Sequence, residues 1–253
     1  MKVLQINAVY GQGSTGTIVR DIERLCEQSG IECYVASPDP KVREAKRGYV
    51  IGNALDHKLH AFLSRIHGKQ AYYSHIPTKN FLRWIDEIKP DIIHLHNLHS
   101  NYIHLNKLLQ HLAEKNIKTI ITLHDCWFYT GGCFHYTAAG CRKWLIDCKN
   151  CPKQRSDTPA VLKKHSANIL ADRKKYLLAI PRLYITGVSE WMAHEPQKSF
   201  LRNVPNYIIY NGIDMDIFQP TTSDLRDKLQ LQNKYVILGP ASKWLLPINR
   251  NVL

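Results

Sequence analysis

Short apolar runs alternate along this chain with longer segments whose apolar residues recur every three or four positions. Residues 3–7 and 31–37 read as strands. Between them Ile18, Val19, Ile22, Leu25 and Cys26 share one face of a helix that Gly30 ends in the usual position past the last turn. A helix over 54–67 carries Leu55, Leu59, Phe62, Leu63 and Ile66 and closes at Gly68. Another over 78–89 carries Phe81, Leu82, Trp84, Ile85 and Ile88 and stops at Pro90. Strand 91–96, helix 104–115, strand 118–123, a long helix over 159–179, strand 183–188, a short helix led by Ser189 and strand 207–210 continue the alternation. Buried parallel strands read as continuous apolar runs. The pattern therefore predicts an α/β fold, a doubly wound, Rossmann-like parallel sheet. Residues 41–47 read as a solvated basic loop, 212–233 as a polar linker and 235–238 as one further strand. The expected division is a domain over 1–211, followed by a linker and the truncated start of a second domain over 212–253.

Two of the strand-like runs end abruptly in histidine. Pro90-Asp91-Ile92-Ile93-His94-Leu95-His96-Asn97 is echoed by Thr122-Leu123-His124-Asp125. Ligands of open α/β sheets bind beyond the carboxyl ends of the strands, so His96, Asn97, His124 and Asp125 are expected in one crevice. Residues two apart on a strand share a face. His94 is expected within the sheet and His96 at its edge. Asp125 either orients the His124 imidazole or caps the next loop. His99, His104 and His111 read as surface residues.

Gly11-Gln12-Gly13-Ser14-Thr15-Gly16 joins the first strand to the first helix in the pattern G-x-G-x-x-G. Glycines there let backbone approach phosphate oxygens at a helix amino terminus. Any phosphate-bearing ligand satisfies that need, and Asp39 lies between two prolines past the expected strand end. A nicotinamide cofactor such as NAD is therefore disfavoured.

With 34 Lys and Arg against 21 Asp and Glu the net charge is +13, which favours an anionic partner. A nucleic acid is disfavoured, because the basic residues are not gathered with aromatics on one element. The amino terminus turns polar too early for a secretory signal, and no run reaches the roughly 18–20 apolar residues of a spanning helix. The expectation is a cytoplasmic protein with peripheral contact at an anionic membrane. Five of the seven cysteines fall between 126 and 151. Cys133, Cys141, Cys148 and Cys151 have spacings that suit a closed structural zinc site. Reduced thiols, disulfides and an iron–sulfur cluster are the alternatives. Trp127, Trp144 and Tyr136 are expected to pack the same loop.

Further on, Asn211-Gly212-Ile213-Asp214 followed by Phe218-Gln219-Pro220 resembles the N-G-[IV]-D-x-x-x-F-x-P signature of the family 4 retaining glycosyltransferases, which have the GT-B fold. The glycine loop, Pro90–Asn97, Thr122–Asp125 and Val188-Ser189-Glu190 stand in the family's order, and the likeness spans about residues 1–243. Trp127-Phe128-Tyr129-Thr130-Gly131-Gly132-Cys133 resembles members of bacterial capsule, exopolysaccharide and O-antigen clusters.

The resemblance implies that the chain is the amino-terminal, acceptor-side half of a GT-B enzyme with a Cys-rich loop insertion. That enzyme would move a hexose from a nucleotide sugar to a lipid-linked or saccharide acceptor at the inner face of the plasma membrane. It implies that Gly13 and Gly16, within the loop of Gly11 and Ser14, approach donor phosphate or the transferred sugar. It places His124 near the reacting sugar, with His96 and Asn97 lining the acceptor side and Asn211, Gly212 and Asp214 as further binding residues. Residues 245–253 depart from the family's donor-domain pattern and no E-x7-E stretch follows, so this chain alone is expected to be weakly active or inactive. The alternative is a non-catalytic acceptor- or glycan-binding domain, or one half of a split transferase.

Overall fold

A computed structural model describes residues 1–153, 157, 159–161 and 165–237. Its strands are β1 (Lys2–Ile6), β2 (Glu32–Ser37), β3 (Gly48–Val50), β4 (Ile92–Leu95), β5 (Lys118–Leu123), β6 (Leu183–Gly187) and β7 (Asn206–Ile208). Its α-helices are α1 (Gly13–Gln28), α2 (Ala54–His67), α3 (His75–Ile88), α4 (Leu105–Glu114), α5 (Ser166–Leu178), α6 (Glu190–His194) and α7 (Leu225–Lys228). The strands form one sheet in the order β3-β2-β1-β4-β5-β6-β7. Every pairing is parallel. This is the doubly wound Rossmann-like arrangement of a GT-B amino-terminal domain. Strand order reverses between β1 and β4, the place where such sheets open a crevice.

The apolar runs account for the core. Leu4 and Ile6 of β1, Ile93 and Leu95 of β4, and Ile121 and Leu123 of β5 are all buried. Leu105, Leu108, Leu109 and Leu112, spaced along one stripe of α4, are buried as well. Ser189 caps α6 by accepting from the Met192 amide. Gly30 and Gly68 both sit at positive φ just past helix ends, the conformation that favours glycine there.

Three expectations need correction. Residues 41–47 are not a plain solvated loop: Asp39 caps a 3-10 turn over Pro40–Glu44 whose Val42 is buried, and β3 follows. The helix expected over 159–179 begins at Ser166, and residues 162–164 lie outside the described ones. Residues 235–237 form no strand, and Tyr235 and Ile237 are fully exposed. Residues 238 and 245–253 fall outside the described residues. On α2, Leu55, Leu59 and Phe62 are exposed while His60 is buried, so the apolar stripe of that helix faces outward.

The chain divides into two compact units, residues 1–212 and 213–253. In the second, the Phe218 amide donates to the Asp214 carbonyl, and the Asp214 carboxylate accepts from the Asp216 amide. Among the described residues no helix is long and apolar enough to cross a membrane.

Candidate functional site

The carboxyl ends of β1, β4 and β5 bring together Asn7, His96, Asn97, His124 and Asp125. Asn7 ties the rim together. Its side-chain oxygen accepts from the Asn97 amide (3.1 Å), and its amide group donates to the Val9 carbonyl and toward the Thr15 hydroxyl. The glycine loop thereby sits beside the histidine strands.

Within that loop α1 begins at Gly13, and Gln12 offers no side-chain cap. Its first turn holds no acidic residue. The free amides and the helix dipole make this an anion-ready terminus. Gly11 and Gly13 adopt left-handed backbone, and Gly11 donates to the Gly16 carbonyl (2.9 Å). A Cβ on Gly16 would meet Gly11 N and Val9 Cγ2 at 3.2 Å, so the loop is closed too tightly for a side chain there. Asp39 borders it, accepting from Gln12 Nε2 (2.7 Å) and the Lys41 amide.

The imidazoles form a chain. His94 Nε2 meets Thr122 Oγ1 at 2.7 Å, and the His94 and His96 rings lie 4.0 Å apart. His96 Nδ1 is 3.2 Å from His124 Nε2, and His96 Nε2 is 3.3 Å from Gln5 Oε1. His96 is fully buried. It does not emerge at the sheet edge as expected, because the strand end is covered from both sides by Gln5 and His124.

Burial holds His94 near 4 and depresses His96 well below the ordinary imidazole range. It also lowers His124, against the opposing pull of Asp125. All three rings are thus neutral, and the network assigns their protons. The Gln5 amide nitrogen is committed to the Val19 carbonyl (3.0 Å), so its oxygen faces His96 and Nε2 of His96 must donate to it. His96 Nδ1 is then an acceptor, and His124 must donate to it from Nε2. What remains at His124 is Nδ1, an unprotonated nitrogen with no protein partner among the described residues.

Asp125 does not orient His124. One oxygen accepts from the Trp127 amide (2.8 Å), and the other lies 3.1 Å from His99 Nε2. Of the two sequence alternatives the loop cap is the one formed. His99 is a partner in the site instead of a surface residue, its ring 4.7 Å from that of Phe134. His104 and His111 are also engaged, the first capping α4 and the second paired with Asp86 at 3.1 Å.

Arg173, from α5, holds the loop that Asp125 starts. It is buried, lies 3.8 Å over the Trp127 ring, and donates to the carbonyls of Trp127 and Thr130. Burial lowers its pKa to about 10, so it stays charged at neutral pH. Sequence reading passed over Arg173, Gln5 and Asn7. The available signal was Gln5, a polar residue between Leu4 and Ile6 in a buried strand.

The four loop cysteines do converge, lining with Tyr136 and Trp144 a space of about 10 Å³. The geometry does not support the expected zinc site. Among the described residues no group of three or more His, Cys, Asp or Glu side chains is placed to hold a metal ion. The sulfurs have other engagements. Cys148 accepts from the Gly131 amide (3.3 Å) and Cys133 is bonded to Asp157. Burial pushes the Cys148 thiol up to about 11 and raises that of Cys133. All seven cysteines are free. Aromatic packing holds the loop instead, with Tyr136 against Trp144 (4.8 Å) and Trp127 against Phe128 (5.3 Å).

Asn211 and Gly212 lie exposed at the end of the first unit, and Asp214 lies in the second.

A model of Glycosyltransferase Family 4 matches residues 15–217. The chain belongs to glycosyltransferase family 4. The match begins inside the glycine loop and takes in β4, β5, the Cys-rich loop and the Asn-Gly-Ile-Asp stretch. A comparison with curated proteins found no match. A family 4 glycosyltransferase has a nucleotide-sugar donor and an acceptor as its general substrates.

Proposed function

We propose that this family 4 domain is the acceptor side of a retaining hexosyltransferase of bacterial surface polysaccharide biosynthesis. It receives a lipid-linked saccharide at the inner face of an anionic membrane. The observation that carries the reading is the unpartnered Nδ1 of His124 on a rim joined through Asn7 to the uncapped start of α1.

In this reading His124 accepts a hydroxyl hydrogen bond from the acceptor or the transferred sugar and holds the attacking oxygen in place. The leaving diphosphate takes the proton in front-face attack. His96 acts through His124 as a positioning residue, and Asp125 positions the loop beside it. Asn97 lines the acceptor side. The amides at Gly13 and Ser14 face donor phosphate, with Gly11 and Gly16 shaping the turn. Asn211, Gly212 and Asp214 are further binding residues in this reading.

The test is a titration of the chain with a detergent-solubilised polyprenyl-diphosphate saccharide, following the imidazole NMR signals. The expected result is a saturable shift of His124 that His124→Ala removes and His94→Gln preserves. Shifts confined to residues far from the rim, or none, would overturn the reading.

A further inference from the structure

α2 is built inside out. His60 is the only buried residue of the helix, its Nδ1 2.7 Å from Ser74 Oγ and its ring 5.3 Å from Tyr73. His57 on the same side reaches the Ile51 carbonyl (2.8 Å). The opposite side carries Leu55, Leu59 and Phe62, which are 76%, 56% and 61% exposed. These positions share one helical face. Ile76, 74% exposed at the start of α3, lies with Asn53 and Asp56 around one hollow and extends the patch beyond the amino-terminal end of α2. Lys58 and Arg65 stand exposed among these apolar groups. Of the acids beside it, Asp56 is held in the capping box with Asn53, and Asp157, which lines a cavity with Arg65, pairs with Lys153 at 3.0 Å.

We infer that this outward face of α2 docks on an anionic bilayer, with Leu55, Leu59 and Phe62 entering the headgroup boundary and Lys58 and Arg65 meeting lipid phosphates. The inference deepens the proposed function and rests on it for the lipid-linked acceptor. Apolar and basic residues on one helix are the composition of an interfacial anchor. Charge selects the bilayer over a second copy of the chain. In a twofold dimer this patch would set Lys58 and Arg65 against their own equivalents on a molecule of net charge +13, whereas an anionic surface attracts both. The placement also suits the chemistry. Arg65 and Ser64 share with Gln70 and Asn101 a cavity of about 230 Å³. In it Gln70 accepts from Trp127 Nε1 (3.1 Å), and Trp127 is the residue whose amide Asp125 holds. The Asn101 side-chain oxygen is buried with no hydrogen-bond partner among the described residues. A carrier lipid entering beside α2 would therefore meet polar groups that lead toward the rim.

The test is co-sedimentation of the full chain with phosphatidylcholine vesicles, with and without 30% phosphatidylglycerol. Wild type is expected to bind the anionic vesicles and to release as salt rises. Lys58→Gln with Arg65→Gln should weaken that binding about 25-fold, at about fivefold per cation. Leu55→Ser, Leu59→Ser and Phe62→Ser together should weaken it at least tenfold. All these side chains are exposed, so circular dichroism should confirm unaltered folding. Equal binding by wild type and both variants, or no binding by any, would overturn the inference. So would a wild-type dimer in sedimentation velocity that the serine variant dissolves, which would assign the face to a second copy. Vesicle binding lost while His124 still responds to detergent-solubilised acceptor overturns this surface alone. Vesicle binding kept while that response is absent overturns the functional reading alone.

Discussion

Replacing Arg173 by Met should loosen the loop that starts at Asp125, and the size of the effect can be worked from its contacts. The guanidinium serves the carbonyls of Trp127 and Thr130 and covers the Trp127 ring at 3.8 Å. Two buried carbonyls left without donors cost about 1–3 kcal/mol each, and a desolvated cation–π contact adds about 2 kcal/mol. Against this stands the several kcal/mol spent on desolvating the buried charge, which methionine does not incur. The balance is a loss of about 3 kcal/mol, or about 6–12 °C in Tm for a unit of this size. Arg173→Lys keeps the charge but lacks the planar fork, so it should recover less than half of the loss. Calorimetry gives the global figure. Amide exchange over residues 127–134 tests the mechanism, since the loop should open before the sheet does. Arg173→Met with an unchanged Tm and unchanged exchange in that segment would refute the account.

Gln5→Glu places an acceptor-only carboxylate against His96 and deprives the Val19 carbonyl of its donor. It should draw a proton onto the histidine chain and shift the His124 imidazole NMR signals, whereas unmoved signals would break the tautomer assignment. Stability should also fall in mild acid. Burial holds His60 and His94 near 4 in the folded protein against about 6.5 unfolded. Their contribution is complete above pH 6.5 and is lost as pH falls through that window toward 4, by up to about 1.4 kcal/mol per ring per pH unit. Urea midpoints measured from pH 8 to 4.5 should show the decline, and His60→Gln should make it shallower. A Cβ on Gly187 would stand 2.3 Å from the Ala193 amide nitrogen; Gly187→Ala should thus cost at least about 3 kcal/mol. Gly212→Ala, with nothing within 4 Å, should stay within about 0.5 kcal/mol by the same unfolding assay.

The sheet was legible because its central strands are uninterrupted apolar runs, and the rim because two of those runs stop at histidine. β3 was not, since three residues, Gly48–Val50, carry no periodicity. Which face of α2 is covered was not legible for a more instructive reason. Its apolar spacing is that of a buried stripe, but hydrogen bonds from His57 and His60 to Ile51 and Ser74 hold the other side inward. Periodicity tells which residues share a face, not which face is covered. Arg173 sits in a run of basic residues, Arg173-Lys174-Lys175, and only the ring and two carbonyls delivered from a distant loop single it out. The cysteine spacing read as a metal site because spacing carries no information on what else each sulfur is offered. Here a backbone amide and a carboxyl group engage two of them.

The Gln5 amide has a consequence for ligand sensing. Its nitrogen is pinned by a carbonyl of α1, the same helix whose opening turn lies bare to anions. Any ligand that tugs α1 by a fraction of an ångström therefore pulls on the far end of a proton wire, and the tautomer of an imidazole two strands away registers the load.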